Sequence, residues 1–308
     1  TLGDMFSLPE LVYIAGVGHS GSSLLCLLLG SHRRVTAAGE IAKLPVQPSQ
    51  RECSCRETID NCPFWSKVAG SLAGKANGSD RFWESFGTHL SRTRRRNRWR
   101  PDFTEVFLLL NQLYANYEVD GEDERLSLGQ ITRRCWTLYE TIARVDGSDI
   151  VVDSTKTALP LKYTYLAEPS RTKVIYLVRN GRAVASSGRR RTGATIAEAA
   201  ESWWLGNRNV LMMLAGIPTN RRLMVRYEDL CRNPSRELQR ICRFLDIDYE
   251  SRMLDFRSER KHIVPGNRML LDHSNDEIRF DERWKQRFDP ADHEAFETAH
   301  CRLPEFLN

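Results

Sequence analysis

The 308-residue chain has no apolar run able to cross a bilayer: an unbroken one such as residues 24–29 reaches only six residues, where a spanning helix needs about 20 residues. It has no internal repeat, which excludes solenoids and propellers. It also has little net charge. With 45 Lys and Arg against 40 Asp and Glu the balance is +5, so no nucleic-acid partner is demanded, although the positive bias suits an anionic ligand. No targeting segment is recognisable, and a cytoplasmic protein is expected. The alternative is a lumenal catalytic domain, which eight cysteines and the sequon Asn77-Gly78-Ser79 leave open. Cys53, Cys55 and Cys62 lack a neighbouring histidine, and three ligands fall one short of a structural zinc site. Zinc would require a distant partner such as Cys135; a disulfide, or free thiols packed beside Phe64 and Trp65, is the simpler expectation.

What the chain does have is an apolar run that stops at a glycine loop opening onto a helix: LVYIAGVGHSGSSLLCLLL, residues 11–29. Residues 11–15 suit a buried strand, residues 16–21 a turn and residues 22–29 a helix. In such a loop successive backbone N–H groups converge at the positive end of the helix, and the concavity favours an anion. Gly16, Gly21 and Ser23 fit the spacing of a triphosphate-binding loop, but Ser22 stands where that loop carries its lysine. The lysine reaches the β- and γ-phosphates, so its absence disfavours a kinase or GTPase and implies a different phosphorylated ligand.

A second junction of this kind lies in KVIYLVRNGRAVASSGRRR, residues 173–191. Arg179 follows a run that suits a buried parallel strand, at the end where open α/β sheets bind ligands. Ser187 comes eight residues later. A Gly-His-Ser-Gly-Ser-Ser loop after the first strand, with an Arg after a later strand and a Ser eight positions on, resembles the sulfotransferases that use 3′-phosphoadenosine-5′-phosphosulfate (PAPS). The resemblance spans about residues 11–288. It implies that Gly18, His19, Ser20, Gly21, Ser22 and Ser23 hold the 5′-phosphosulfate, and that Arg179 and Ser187 hold the 3′-phosphate through charge-assisted contacts. Tyr227, at the end of a strand-like run over residues 222–227, matches a tyrosine near the nucleotide. HIVPGNRM, residues 262–269, is similar to the family's mobile loop over the nucleotide, which makes Gly266, Asn267 and Arg268 cofactor candidates.

The resemblance also assigns the chemistry. The Gly39-Glu40 pair is similar to one in branches that include the protein-tyrosine sulfotransferases, and implies that Glu40 is the base on the acceptor hydroxyl. Lys156, beyond a short strand at residues 150–152, matches a lysine that reaches the sulfuryl group. His19 stands where many relatives have Lys or Arg; contact with a phosphosulfate would raise its pKa, so a cationic imidazole is expected in the complex. The cysteine stretch is similar to an insertion in some family members and has no assigned role.

The expected fold is one α/β domain over residues 1–308, a three-layer parallel sheet with helices on both faces in a P-loop-like nucleotide fold. A Cys-containing insertion is expected at about 45–70 and inserted helices at about 80–145, where apolar residues recur at helical spacing over 102–118 and 126–145. Further helices are expected at 196–214, 235–245 and 281–288. RTRRRNRWR at 92–100 reads as a solvated or anion-steering rim and not a nucleic-acid site. The expected reaction is sulfuryl transfer from PAPS to a hydroxyl of a small molecule, sugar, lipid or peptide tyrosine. No metal is expected in it, because a sulfuryl group carries less charge than a terminal phosphoryl. The alternatives are a nucleotide-binding protein without turnover, which has no use for Glu40 beside the loop, and a divergent kinase.

Overall fold

A computed structural model describes residues 8–45, 48–73, 82–85, 118–119, 126–258, 261–272 and 276–300. The basic run 92–100, the sequon and most of the segment 102–118 lie outside them. Among the described residues the chain runs β1 (Glu10–Gly16), α1 (Ser22–Leu29), β2 (Val35–Gly39), α2 (Pro63–Ala73), α3 (Leu128–Asp146), β3 (Ile150–Lys156), α4 (Ala158–Ala167), β4 (Thr172–Val178), α5 (Gly181–Thr192), α6 (Ile196–Ala215), β5 (Arg222–Arg226), α7 (Tyr227–Arg232), α8 (Pro234–Leu245) and α9 (Pro290–His300). A four-residue helix, Phe82–Ser85, a two-residue antiparallel ladder, Glu118–Val119 with Leu126–Ser127, and several short 3-10 turns complete them.

The five strands form one parallel sheet in the order β2-β3-β1-β4-β5. Its central strand is β1, whose side chains alternate between the two faces as the period of a strand requires. Val12 and Ile14 enter a core built with α1 and α8; Leu11 enters a second cluster with α2 and α3, and Tyr13 and Ala15 a third with α4 and α6. Both faces are therefore covered, which explains why β1 and β4 read as continuous apolar runs. The chain passes from β1 to one side through β2 and β3 and returns to the other side with β4. The carboxyl ends of β1 and β4 thus border a topological switch point, where α/β sheets bind ligands.

Local sequence explains the boundaries around that point. Gly16 has a φ of 154°, and a Cβ there would stand 2.5 Å from the Leu177 carbonyl oxygen, so only glycine lets β1 end this close to β4. All eight residues of α1 are buried, which is how a helix too short to be stable by itself persists. α5 starts where the Asn180 side chain accepts hydrogen bonds from the Arg182 and Ala183 amides, at 3.0 and 3.4 Å.

Three expectations need correction. The strand read at residues 150–152 continues to Lys156, because its pairing with β1 carries the polar residues into the sheet. Tyr227 does not close β5 but opens α7. Residues 281–288 are not the terminal helix: only a 3-10 turn, Arg283–Gln286, forms there, and the last helix among the described residues is α9. Trp284 still packs on the body, edge to face with Phe288 at 5.8 Å.

Candidate active site

The glycine loop and α1 meet as the pattern implied. Gly21 adopts a left-handed conformation (φ 93°, ψ 13°), and α1 begins with no side-chain cap and no acidic residue in its first turn. Its leading N–H groups are therefore open to an anion. A Cβ on Gly21 would stand 2.3 Å from the Tyr227 ring, so the loop lies flush against that ring. Ser22 and Ser23 are buried in the first turn, and Gly18 is exposed at the loop's tip. His19, half-buried, holds a left-handed φ of 67°, a strained choice for a non-glycine residue. The Ser20 hydroxyl is 1% exposed and its Oγ has no hydrogen-bond partner. A buried donor left unpaired is costly, and an anionic ligand in the loop would satisfy it.

Arg179 emerges from β4 and is almost wholly buried. It donates to the His19 carbonyl at 3.0 Å and to the Asp281 carbonyl at 3.1 Å, and its guanidinium lies 4.2 Å above the Tyr227 ring. Its Nε is buried and unpartnered. Arg179, Tyr227 and the loop are thus one contact unit. Ser187 sits half-buried on α5, one turn before Arg191 and on the same face. That face reaches the loop: Arg191 contacts the Asn267 side chain at 3.4 Å, and Arg190 and Arg191 both act on His19.

The His19 imidazole is pushed down to about 4, first by burial and then by Arg191, Arg179, Lys156 and Arg190. In the protein alone it is therefore neutral near pH 7. The expected cationic form needs an anion to offset four surrounding cations. Arg190 and Arg191 went unassigned in the sequence, although the spacing of Arg191 from Ser187 is a one-turn helical signal.

Glu40 follows β2 and is 8% exposed. Its Oε1 is ion-paired with Lys156 and its Oε2 with Lys43. Burial acts to raise its pKa, but the two lysines outweigh it and hold the carboxyl below its ordinary value. Lys156, at a left-handed φ of 79°, also donates to the Ser154 carbonyl at 3.0 Å. The turn into it is shaped by buried Asp153, which accepts from the Thr155 amide and the Tyr139 hydroxyl, each at 2.7 Å. Lys43 was missed, although it lies one 3-10 turn after Glu40.

The segment 262–269 runs beside the end of β2. Val264 bridges Gly39 beside β2, with the Glu40 amide donating to the Val264 carbonyl at 3.0 Å. A Cβ on Gly266 would stand 1.4 Å from Glu40 Oε1. Gly266 therefore packs on the carboxylate of Glu40, Asn267 faces Arg191, and Arg268 is exposed.

Comparison with known proteins bears on the fold and the family. No curated protein matches the sequence. In structure, the chain is similar to a sulfotransferase domain from the curacin biosynthetic pathway, at 20% identity and a TM-score of 0.56, covering 96% of this chain and 99% of that one. It is similar also to the sulfotransferase domain of the Synechococcus PCC 7002 olefin synthase, at 21% identity and a TM-score of 0.57, covering 96% of each chain. At such identities the likeness concerns the fold. The model of the sulfotransferase family matches residues 75–251, more than half of the chain and including Lys156, Arg179, Ser187 and Tyr227, and on that match the chain belongs to the sulfotransferase family.

Proposed function

We propose that the protein transfers a sulfuryl group from PAPS to a hydroxyl-bearing acceptor, giving a sulfate ester and adenosine 3′,5′-bisphosphate. One observation carries the reading: a buried carboxylate and lysine pair, Glu40 and Lys156, stands close enough to the loop for Lys156 to act on His19, within a setting of four cations. Such a setting fits a nucleotide that carries anionic groups at both its 3′ and 5′ positions. The unpartnered Ser20 hydroxyl and Arg179 Nε supply the waiting donors.

When bound, PAPS supplies an electrophilic sulfuryl group. Gly18 to Ser23 hold the 5′ end through backbone N–H groups and hydroxyls, and Arg179 with Ser187 holds the 3′-phosphate. Tyr227 walls the nucleotide site. Glu40 takes the proton of the attacking hydroxyl, and Lys156 turns from Glu40 toward the sulfuryl oxygens, stabilising charge that develops there. That exchange frees the carboxylate as its partner leaves, which couples donor binding to base activation. Asn267 and Arg268, on the segment that covers Glu40, close the site beside Arg191.

The test begins with adenosine 3′,5′-bisphosphate, which should raise the melting temperature without added metal while ATP with Mg²⁺ does much less. A mass-based acceptor screen with PAPS then seeks sulfated product. Glu40→Gln should lower turnover roughly 10²- to 10⁴-fold with bisphosphate affinity kept within a few fold. Equal melting shifts from both nucleotides, or near-normal turnover in Glu40→Gln, would overturn the assignment.

A further inference from the structure

The cysteine insertion, which the sulfuryl chemistry does not use, is completed by a residue two hundred positions away. Cys53 and Cys55 sit on a tight turn, Cys62 directly precedes α2, and His262 lies on the segment that runs beside β2. Cys62 Sγ lies 3.6 Å from Cys55 Sγ, 3.7 Å from Cys53 Sγ and 3.2 Å from His262 Nδ1. All four ligand atoms fall within 4.8 Å of one another. The three cysteines are buried and form no disulfide: Cys62 Sγ lies 3.6 and 3.7 Å from the other two sulfurs, where a disulfide needs about 2.05 Å. A tetrahedral zinc with Zn–S of about 2.3 Å and Zn–N of about 2.0–2.1 Å has edges of about 3.8 Å between sulfurs and about 3.5 Å from sulfur to nitrogen. The three edges at Cys62 Sγ, 3.6, 3.7 and 3.2 Å, are close to those figures, and the remaining three fall within the 4.8 Å that encloses the set. Cys135, the distant partner suggested by sequence, is not in the cluster.

The surroundings are those of a ligand set. Backbone amides point at the sulfurs: that of Cys55 at Cys53, that of Glu57 at Cys55 and that of Trp65 at Cys62. Such N–H groups orient and stabilise metal-bound thiolates. The His262 ring is stacked on Phe64 at 5.4 Å, which fixes its plane with Nδ1 toward Cys62. Beside the cluster, Ser54 is tied to the same segment, its amide donating to the Ile263 carbonyl at 3.0 Å and its hydroxyl accepting from the Ile263 amide at 2.8 Å.

We propose that Cys53, Cys55, Cys62 and His262 bind one zinc ion in a closed Cys₃His site that clasps the insertion to the segment covering Glu40. Four protein ligands leave no open position, so the site is structural. His262 is four residues from Gly266, and Gly266 rests on the Glu40 carboxylate. Metal binding therefore pins the backbone that shapes the base's pocket, at a place separate from the glycine loop.

The experiment uses tag-free full-length protein purified with its thiols reduced. Elemental analysis should find about one zinc per chain, released by a mercurial thiol reagent and read with a colorimetric chelator. Cobalt exchanged into the site should give the intense visible bands of tetrahedral coordination with thiolate charge transfer. Cys62→Ser and His262→Ala should lose most of the metal, Cys135→Ser should keep it, and His262→Cys should restore binding with a fourth thiolate. If the single variants fail to fold, the metal content and cobalt spectrum of the wild-type chain decide alone. Less than about 0.1 equivalent of zinc in reduced wild-type protein after supplementation would overturn the proposal. So would full metal content in both Cys62→Ser and His262→Ala, or an octahedral cobalt spectrum.

Discussion

Gly266→Ala separates two readings of one glycine. Sequence resemblance assigns Gly266 to the nucleotide, whereas the structure lays it on the carboxylate of Glu40, where an added Cβ would stand 1.4 Å from Oε1 and 2.1 Å from Cδ. Cβ atoms essentially never approach within 3.0 Å of other heavy atoms, so a gap of 1.4 Å must be opened to at least that distance. The carboxylate cannot yield freely, since Lys156 and Lys43 each hold one of its oxygens and Val264 holds its backbone amide. Displacement of a catalytic group by about 1 Å costs on the order of 10²-fold in rate, so kcat should fall by about that factor or more. Overpacking should also lower stability by about 1–3 kcal/mol. Affinity for adenosine 3′,5′-bisphosphate should stay within a few fold, because the cations and hydroxyls of the loop are elsewhere. The assay pairs initial rates on an acceptor found by the mass screen with melting shifts induced by the bisphosphate. Undiminished kcat would refute the placement, and a selective loss of bisphosphate binding with normal kcat would return Gly266 to the nucleotide.

Two further outcomes test the anion site. Arg179→Ala should weaken adenosine 3′,5′-bisphosphate binding ten- to a hundredfold, about 1.5–3 kcal/mol for a lost charged hydrogen bond; calorimetry with a nucleotide lacking the 3′-phosphate is the control, and equal losses for both would make Arg179 a structural support of His19 and Asp281. For His19 the sign follows from a free-state pKa of about 4: an anion in the loop raises it, so binding takes up protons and tightens as pH falls through the window between the free and bound values. Calorimetry at about pH 6 in buffers of different ionisation enthalpy should show more proton uptake for wild type than for His19→Asn, a side chain that tolerates the left-handed backbone; equal uptake would mean the imidazole stays neutral.

The loop and its helix were legible because their signal is local: a β-branched run, glycines at a turn and an apolar octet need only short-range sterics and burial. Arg179 was legible for the same reason, as a cation at the end of an apolar strand. The strand limits at Lys156 and Tyr227 were misplaced because pairing across the sheet, and not composition, decided where polar residues remain extended. Lys43 and Arg191 left weak helical-spacing signals, yet their significance depends on which face their elements turn to the loop.

By itself the sequence determined the β1–loop–α1 unit, the parallel α/β class, the missing triphosphate lysine and the presence of a carboxylate and a lysine after two strands. Each of these is written in contiguous residues. Only the tertiary structure decided that Glu40 and Lys156 are ion-paired, since they stand at the ends of neighbouring strands separated by 116 positions. It alone seated Gly266 on that carboxylate and brought His262 to three cysteines 200 to 209 positions away. Strand order and the bridge between Gly39 and Val264 set those distances, and both are products of burying apolar surface over the whole chain, which no short stretch of sequence records.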